Sequence, residues 1–185
     1  RRRLRNKHFT VTFDHDPLAV MRGCAAPRQG RPPLTWLTPR MMTAQLALHD
    51  AGHMHSVEVR DGDGTLVGGL FGVAMGPVLT IYSMFAAARD ASKVGVTVLN
   101  AHLQSWGFAL ADGMLPTAHL ESLGFRVMPR QQFRAILQGA PTPGPIGRWS
   151  IDDDLDVGAW EPSSGVVPRN ARSVPKPSQQ PTRAA

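Results

Sequence analysis

Between His8 and Leu137, apolar residues recur with the periods typical of helices and strands. Helical spacing, opened in two cases by a capping residue and a proline, predicts helices over Asp16–Ala25, Thr38–Ala51, Asp90–Gly107, Thr117–Leu123 and Pro129–Leu137. Alternating or short apolar runs predict strands over His8–Phe13, Met54–Arg60, Leu66–Met75, Val78–Phe85, Phe108–Ala111 and Phe125–Met128. Turn sequences at Asp61–Gly64 and Gly76–Pro77 join three of these strands into an antiparallel meander.

The order of these elements predicts an α+β fold in which helices flank a mainly antiparallel sheet. The same order is seen in the GNAT-like (acyl-CoA N-acyltransferase-like) superfold. The composition changes at Ala140, because residues 140–185 hold 8 of the 16 prolines and little periodic apolar content. We therefore expect one domain over residues 1–139 and a mostly disordered tail over residues 140–185. Within that tail, IDDDLDVGAW is interpreted as a solvated acidic stretch, with a docking segment as the alternative.

The excess positive charge lies in the first three quarters of the chain. Residues 1–139 carry 15 Lys and Arg against 9 Asp and Glu, which accounts for the net charge of +6, whereas residues 140–185 carry five of each. Such a field favours a polyanionic partner such as nucleic acid. Two basic sets favour phosphate contacts: an N-terminal cluster of Arg1, Arg2, Arg3, Arg5 and Lys7, and a later set of Arg126, Arg130 and Arg134. For the N-terminal cluster, a solvated terminus is the alternative.

Composition also argues against several classes of protein. No run of 18 apolar residues is present, so we expect no membrane-spanning helix. The basic start has no apolar region behind it, which argues against a signal peptide. Cys24 is the only cysteine, which excludes an internal disulfide and a cysteine-cluster zinc site and fits a reducing compartment.

Three candidate sites follow from residue types alone. His49, His53 and His55 echo a zinc-binding H-E-x-x-H helix, but a glycine falls between the first two, so polar residues at a helix end and a strand start are the favoured interpretation. A CoA-binding loop needs glycines at the start of the helix after the meander. This chain reads RDASKV there, without glycine and with a negative charge at Asp90, which argues against CoA binding. Asp112 ends an apolar strand, where a side chain either projects into a cleft or caps a turn.

Longer blocks carry a more specific signal, and in chain order they are TWLT, LHDAGHMHSVEV, LVGGLFGVAMG, YSMF, DASK, LADG and HLESLGF followed by MPR. Together they resemble the leucyl/phenylalanyl-tRNA–protein transferases over roughly Arg1 to Leu137. The resemblance implies transfer of Leu, Phe or Met from aminoacyl-tRNA to the N-terminal Arg or Lys of proteins, which marks them for bacterial N-end-rule degradation. It implies a GNAT-like, cytoplasmic enzyme that needs no metal, CoA or other cofactor, and we expect a monomer without membrane contact. The family has a further N-terminal segment that we expect to be missing here.

The resemblance also implies roles for individual residues. Leu70 and Met84 match apolar positions that hold the aminoacyl side chain, and unbranched Met adapts to both Leu and Phe shapes. Trp36 matches the tryptophan that stacks on the terminal adenosine. Asp112 matches the acidic residue at the reaction centre, where it orients the acceptor amine and takes or relays its proton. From residue type alone, Leu70, Met84 and Trp36 would be interpreted as core residues.

Two positions depart from the family pattern. Tyr82 stands where the family has the Glu of G-E-S-M-F, and Met114 stands where it has the Gln of D-C-Q. A phenol is a weaker partner for an ammonium group than a carboxylate, and Met offers no amide. We therefore carry two hypotheses: a divergent aminoacyltransferase with altered donor or acceptor preference, which we favour, and a catalytically impaired homologue that binds tRNA or protein N-termini without turnover.

Overall fold

The computed structural model describes residues 8–27, 35–139 and 147–160. Its helices, numbered in chain order, are α1 (Pro17–Ala25), α2 (Pro39–Asp50), α3 (Ala91–Ser105), α4 (Ala118–Ser122) and α5 (Arg130–Gly139). Its strands are β1 (Thr10–Phe13), β2 (Met54–Arg60), β3 (Leu66–Met75), β4 (Val78–Ala86) and β5 (Leu110–Asp112). A short 3₁₀ helix covers Val157–Ala159.

The five strands of the described residues form one open sheet in the order β1-β2-β3-β4-β5. Strands β1 to β4 pair antiparallel, and β5 joins the edge of β4 in parallel. The parallel pair follows from the crossover through α3, which returns the chain to the end of the sheet where β4 begins. The predicted α+β fold with a mainly antiparallel sheet is therefore confirmed.

Helices cover both faces of the sheet, and each face has its own apolar cluster. On the face covered by α1 and α2, the buried residues are Val20, Met21, Cys24, Leu37, Met54, Phe71 and Val73. On the face covered by α3, they include Leu70, Leu79, Ile81, Val94, Val98, Leu99 and Leu103. Neighbouring residues such as Leu70 and Phe71 fall in different clusters because successive side chains of a strand point to opposite faces. We call these two surfaces the α1–α2 face and the α3 face.

Side-chain caps start the first two helices. Asp16 Oδ1 accepts a hydrogen bond from the Ala19 N–H at 3.0 Å, and Thr38 Oγ1 accepts one from the Met41 N–H at 3.3 Å. A proline fills the first helical position in both cases, where its missing N–H costs nothing. Both starts confirm the prediction from the cap and proline pairs, and each cap is worth about 1 kcal/mol.

One predicted strand is wrong. Residues 125–129 form no strand, and Val127 is 79% exposed. A strand at this position would need a neighbour for its backbone hydrogen bonds and a surface on which to bury alternate side chains. The described residues supply no such strand neighbour, because β5 at the edge of the sheet pairs only with β4. The segment instead leads directly into α5.

The prediction of a disordered tail from residue 140 is wrong for residues 147–160. Trp149 is 3% exposed and belongs to the buried cluster of the α3 face. Its backbone N–H donates to Asp14 Oδ2 at 2.7 Å, and its ring stacks on the His55 imidazole with 3.6 Å between centroids. Residues 147–160 are therefore packed on the domain through a buried aromatic ring and a buried hydrogen bond.

The acidic stretch that follows Trp149 is docked through its backbone. The Asp152 N–H donates to His102 Nε2 at 3.0 Å, while His102 Nδ1 donates to the Val98 carbonyl at 2.7 Å. These two contacts fix the neutral tautomer of a completely buried imidazole. The carboxylates of residues 152–154 remain exposed, so the stretch is solvated on one side and docked on the other.

Each described helix is either too short or too polar to cross a bilayer. None of them within residues 8–27, 35–139 and 147–160 combines the length and the apolar content that crossing a membrane would require. This agrees with the absence of a long apolar run in the sequence.

Candidate functional site

Asp112 lies at the open edge of the sheet, as the last residue of β5. Its register partner on β4 is Thr80, and the pairing of the two strands covers only Val78–Thr80 against Leu110–Asp112. Strand β4 continues to Ala86, so its second half has no strand neighbour on the β5 side within the described residues. The edge of β4 is therefore unpaired directly beyond Asp112 within the described residues.

The carboxylate of Asp112 is half-buried and has one hydrogen bond within the described part of the chain. Its Oδ1 accepts from the Met114 N–H at 2.8 Å, which closes a tight turn. No described residue forms a hydrogen bond with Oδ2, which leaves that atom to act on a ligand. Met114 itself adopts a left-handed backbone with φ of 66° and is 58% exposed. The turn-cap and cleft interpretations of Asp112 are therefore compatible, because each uses a different oxygen.

Gly113 brings the Asp112 turn into contact with the segment around α4. A Cβ atom at this position would lie 2.8 Å from Leu120 Cδ1 and 3.3 Å from Phe125 Cδ1. The absence of a side chain therefore lets the turn pack closely against Leu120 and Phe125. In this way α4 and the residues after it support the backbone that carries Asp112.

Tyr82 lies at an irregularity in β4. Phe71 pairs with Ser83 and Gly72 pairs with Ile81, so Tyr82 is the extra residue of a bulge. Its ring makes an edge contact with Trp36 at 6.1 Å and with Phe71 at 6.3 Å between centroids. Trp36 is 47% exposed, whereas Phe71 is completely buried beneath it. The three rings form an aromatic surface on the α1–α2 face with Trp36 outermost.

Leu70 and Met84 lie directly opposite each other on β3 and β4. Both pack with the cluster of the α3 face, and Leu70 is only 2% exposed. In a regular strand Met84 and Tyr82 would point to the same face because they are two residues apart. The bulge at Tyr82 turns them to opposite faces.

The structure thus places the residues singled out by the sequence in two groups. Leu70 and Met84 form a pair on the α3 face, and Trp36 and Tyr82 form a pair on the α1–α2 face. Asp112 lies at the edge between them. Its side chain points to the same face as Tyr82, because its neighbour Ala111 packs on the α3 face. The N-terminal cluster Arg1, Arg2, Arg3, Arg5 and Lys7 lies outside the described residues.

The three histidines of the zinc alternative do not share one helix face. His49 lies in the last turn of α2, and His55 lies on β2. His55 Nδ1 contacts Asp14 Oδ2 at 2.8 Å, and His49 Nε2 lies 3.8 Å from Asp14 Oδ1. His53, between these elements, is exposed. Among the described residues, no group of His, Cys, Asp and Glu side chains has the arrangement of a metal site.

Two carboxylates are buried although the sequence pattern does not predict it. Asp14 and Glu58 are 5% and 0% exposed. Glu58 accepts hydrogen bonds from Thr12 Oγ1 at 2.7 Å, from Ser56 Oγ, and from the backbone N–H groups of His15 and Asp16. The alternation of polar and apolar residues in β2 assigns Glu58 to an exposed side of the strand. A turn packed against that side, which no local pattern reveals, is what buries it.

The sequence model described as "Leucyl/phenylalanyl-tRNA protein transferase" matches residues 1–138. The chain belongs to this family. A leucyl/phenylalanyl-tRNA–protein transferase of Pseudomonas syringae pv. tomato is 52% identical over 134 residues, which cover 72% of this chain and 58% of that protein.

Two further leucyl/phenylalanyl-tRNA–protein transferases show how far the similarity extends. The protein of Pseudomonas fluorescens (strain SBW25) is 48% identical over 145 residues, 77% of this chain and 63% of that protein. The protein of Aromatoleum aromaticum is 46% identical over 158 residues, 85% of this chain and 66% of that protein. A match of 158 residues extends past residue 139, which agrees with the packing of Trp149 on the domain. The chain spans about three fifths to two thirds of the length of these relatives.

Membership of the leucyl/phenylalanyl-tRNA–protein transferase family gives the two departures a structural setting. Tyr82, interpreted from the sequence as a departure from the family pattern, lies in the aromatic group, where its ring contacts Trp36. Met114, interpreted from the sequence as the second departure, is exposed and donates its backbone N–H to Asp112 Oδ1.

Proposed function

We propose that this chain transfers leucine, phenylalanine or methionine from aminoacyl-tRNA to the N-terminal Arg or Lys of proteins, and so marks them for N-end-rule degradation. The proposal includes a GNAT-like fold, a cytoplasmic location, a monomeric state and no cofactor. Family membership over residues 1–138 supports the class of reaction. The position of Asp112 beside the unpaired edge of β4 supports the location of the site.

The proposed reaction needs alignment more than chemical activation. The donor is already an ester, and the acceptor α-amine has a pKa of about 7.7–8.0, so a useful fraction is neutral near pH 7. The amine nitrogen attacks the ester carbonyl carbon, an amide bond forms, and the bond to the ribose oxygen breaks. One proton leaves the amine, and the ribose oxygen gains one. Holding the two reactants in contact supplies most of the rate enhancement.

Asp112 is the residue proposed to orient the amine and relay its proton. Its Oδ1 is held by the Met114 N–H, so the carboxylate is fixed in direction. Oδ2 has no hydrogen-bond partner among the described residues and is the atom proposed to meet the amine. A fixed carboxylate attracts the cationic acceptor residue and accepts a proton from its amine once the nitrogen has attacked.

The donor would lie across the open edge of β4. Trp36, half-exposed at the outside of the aromatic group, is proposed to stack on the terminal adenosine. Met84, opposite Leu70 on the other face, is proposed to contact the aminoacyl side chain. The two groups lie on opposite faces, so the donor must pass the unpaired edge of β4 beyond Asp112 to reach both.

A second function is a homologue that binds tRNA or protein N-termini without turnover. The observation that favours it is the pair of departures, because Tyr82 and Met114 remove a carboxylate and an amide beside the proposed reaction centre. Loss of hydrogen bonds to charged groups costs about 1.5–3 kcal/mol each. Two such losses would lower the rate by orders of magnitude.

A transfer assay separates the two functions. The full chain is incubated with tRNA carrying labelled Leu, Phe or Met and with peptides that begin with Arg, Lys or Ala. The first function predicts label on the Arg and Lys peptides and none on the Ala peptide or on an N-acetylated Arg peptide. Salt-dependent tRNA binding without transfer from any donor would establish the second function instead.

A further inference from the structure

Three exposed arginines follow the segment that packs against the Asp112 turn. They are Arg126, on the segment after α4, and Arg130 and Arg134, on α5 (the arginine ridge). All three residues are exposed, and α5 has no buried residue at all. Arg130 and Arg134 share one side of the helix because they are four residues apart. Because α5 has no buried residue, it contributes little to the core, and its exposed surface is available to a ligand.

The arginine ridge has no counter-charges among the described residues. Within residues 8–27, 35–139 and 147–160, no Asp or Glu oxygen lies within 4.0 Å of these three guanidinium groups, although Lys93 has such a partner in Asp90. Arg126 Nη1 donates to the carbonyl oxygens of Glu121 at 3.3 Å and Phe125 at 2.9 Å, which fixes its direction without neutralising it. Like charges four residues apart destabilise an isolated helix. An anion on the ridge would remove that repulsion.

The ridge connects physically to the proposed reaction centre. Phe125, next to Arg126, packs against Gly113, and Gly113 follows Asp112. Exposed apolar side chains, Val127 at 79% and Met128 at 36%, lie between the first two arginines. The Arg126 end of the ridge therefore lies close to the Asp112 turn.

We propose that the arginine ridge binds the phosphate backbone of the tRNA acceptor stem, a proposal that rests on the proposed function. Arg130 and Arg134 are about 6 Å apart along the helix axis, which matches the spacing of successive phosphates on one RNA strand. Guanidinium groups bind phosphates bidentately, and apolar side chains between them fit ribose surfaces. The Arg126 end of this surface would place the stem next to Asp112.

Binding of labelled tRNA to the full chain, measured by fluorescence anisotropy between about 50 and 200 mM salt, tests the proposal. Arg130→Gln and Arg134→Gln should each lower the salt slope by about one unit and weaken binding severalfold, and the double variant should add the two effects. Arg60→Gln is the matched control. It also removes one positive charge, but from the last residue of β2, where Arg60 donates to the Gly64 carbonyl. Its slope should stay at the wild-type value.

The outcomes are distinguishable. If wild-type chain binds tRNA with a salt slope but the ridge variants keep that slope, the ridge proposal is wrong and the proposed function stands. Equal losses in Arg60→Gln and Arg130→Gln would attribute the effect to net charge and also overturn it. Displacement of tRNA by polyglutamate as readily as by unlabelled tRNA would assign the ridge to acidic protein. Absence of any tRNA binding by wild type would reject the proposed function itself.

Discussion

The indole of Trp149 stacks face to face on the imidazole of His55, with 3.6 Å between ring centroids and an interplanar angle of 3°. This contact joins a segment beyond residue 139 to the second strand of the sheet. Phe108 and Trp106 approach the same indole at 5.6 and 4.9 Å. Trp149 thus completes the α3 face of the core, and the domain includes this part of the chain.

Trp149→Ala should lower the free energy of unfolding by about 3–5 kcal/mol, because it empties a buried aromatic site. Urea unfolding followed by circular dichroism measures the change. Trp36→Ala is the matched control, because Trp36 is 47% exposed and its loss should cost far less. Equal effects of the two substitutions would show that residues 147–160 are not held on the core as described.

Glu58→Gln should destabilise the domain by about 2 kcal/mol or more, because its carboxylate accepts four hydrogen bonds while fully buried. An amide NH₂ in place of one oxygen would face donors. Glu121→Gln, on the exposed surface of α4, is the control and should change stability by less than about 0.5 kcal/mol. A thermal scan of both variants checks the difference; unchanged stability in Glu58→Gln would contradict the network.

Gly72→Ala should destabilise the domain by about 1–3 kcal/mol, because a Cβ would overlap the Thr80 carbonyl oxygen and press on Ile81 Cα. The displacement would fall on the bulge that carries Tyr82. At Gly62, in the hairpin after β2, a Cβ meets nothing within 4 Å. Gly62→Ala is therefore the neutral comparison in the same unfolding experiment, and similar losses in both variants would contradict the close approach of β3 and β4.

The pair Tyr82→Glu with Met114→Gln should raise the transfer rate, because it restores a carboxylate and an amide beside the Asp112 turn. With each lost hydrogen bond worth about 1.5–3 kcal/mol, the gain should reach at least tenfold in kcat/KM. Tyr82→Phe is the control, since it keeps the ring contacts with Trp36 and removes only the hydroxyl. A rate for the restored pair no higher than wild type would remove the departures as an explanation for altered activity.

The local elements were predictable because their signals are local. Asp16 and Thr38 mark helix starts through caps that act within three residues. The apolar run ending at Asp112 likewise predicts a strand end, and the structure places it there. Each of these features is determined by a few neighbouring residues.

Features that depend on distant neighbours were not predictable. The bulge at Tyr82 arises from the pairing of β4 with β3, so the separation of Met84 and Tyr82 onto two faces leaves no trace in the local pattern. Residues 125–128 are apolar enough for a strand, but a strand also requires a sheet edge. Trp149 lies in a proline-rich segment, and the average composition of such a segment does not indicate that one of its side chains is buried.

Asp112 is proposed to act on the acceptor amine in aminoacyl transfer. The most direct measurement is the rate of transfer of labelled Leu and Phe from tRNA to an Arg-initiated peptide by wild type and by Asp112→Asn. Asn retains an oxygen that can accept from the Met114 N–H, so the turn should stay folded while the charge is lost. We expect unchanged tRNA binding and a fall in kcat of at least about 100-fold. Transfer at the wild-type rate by Asp112→Asn would contradict the account.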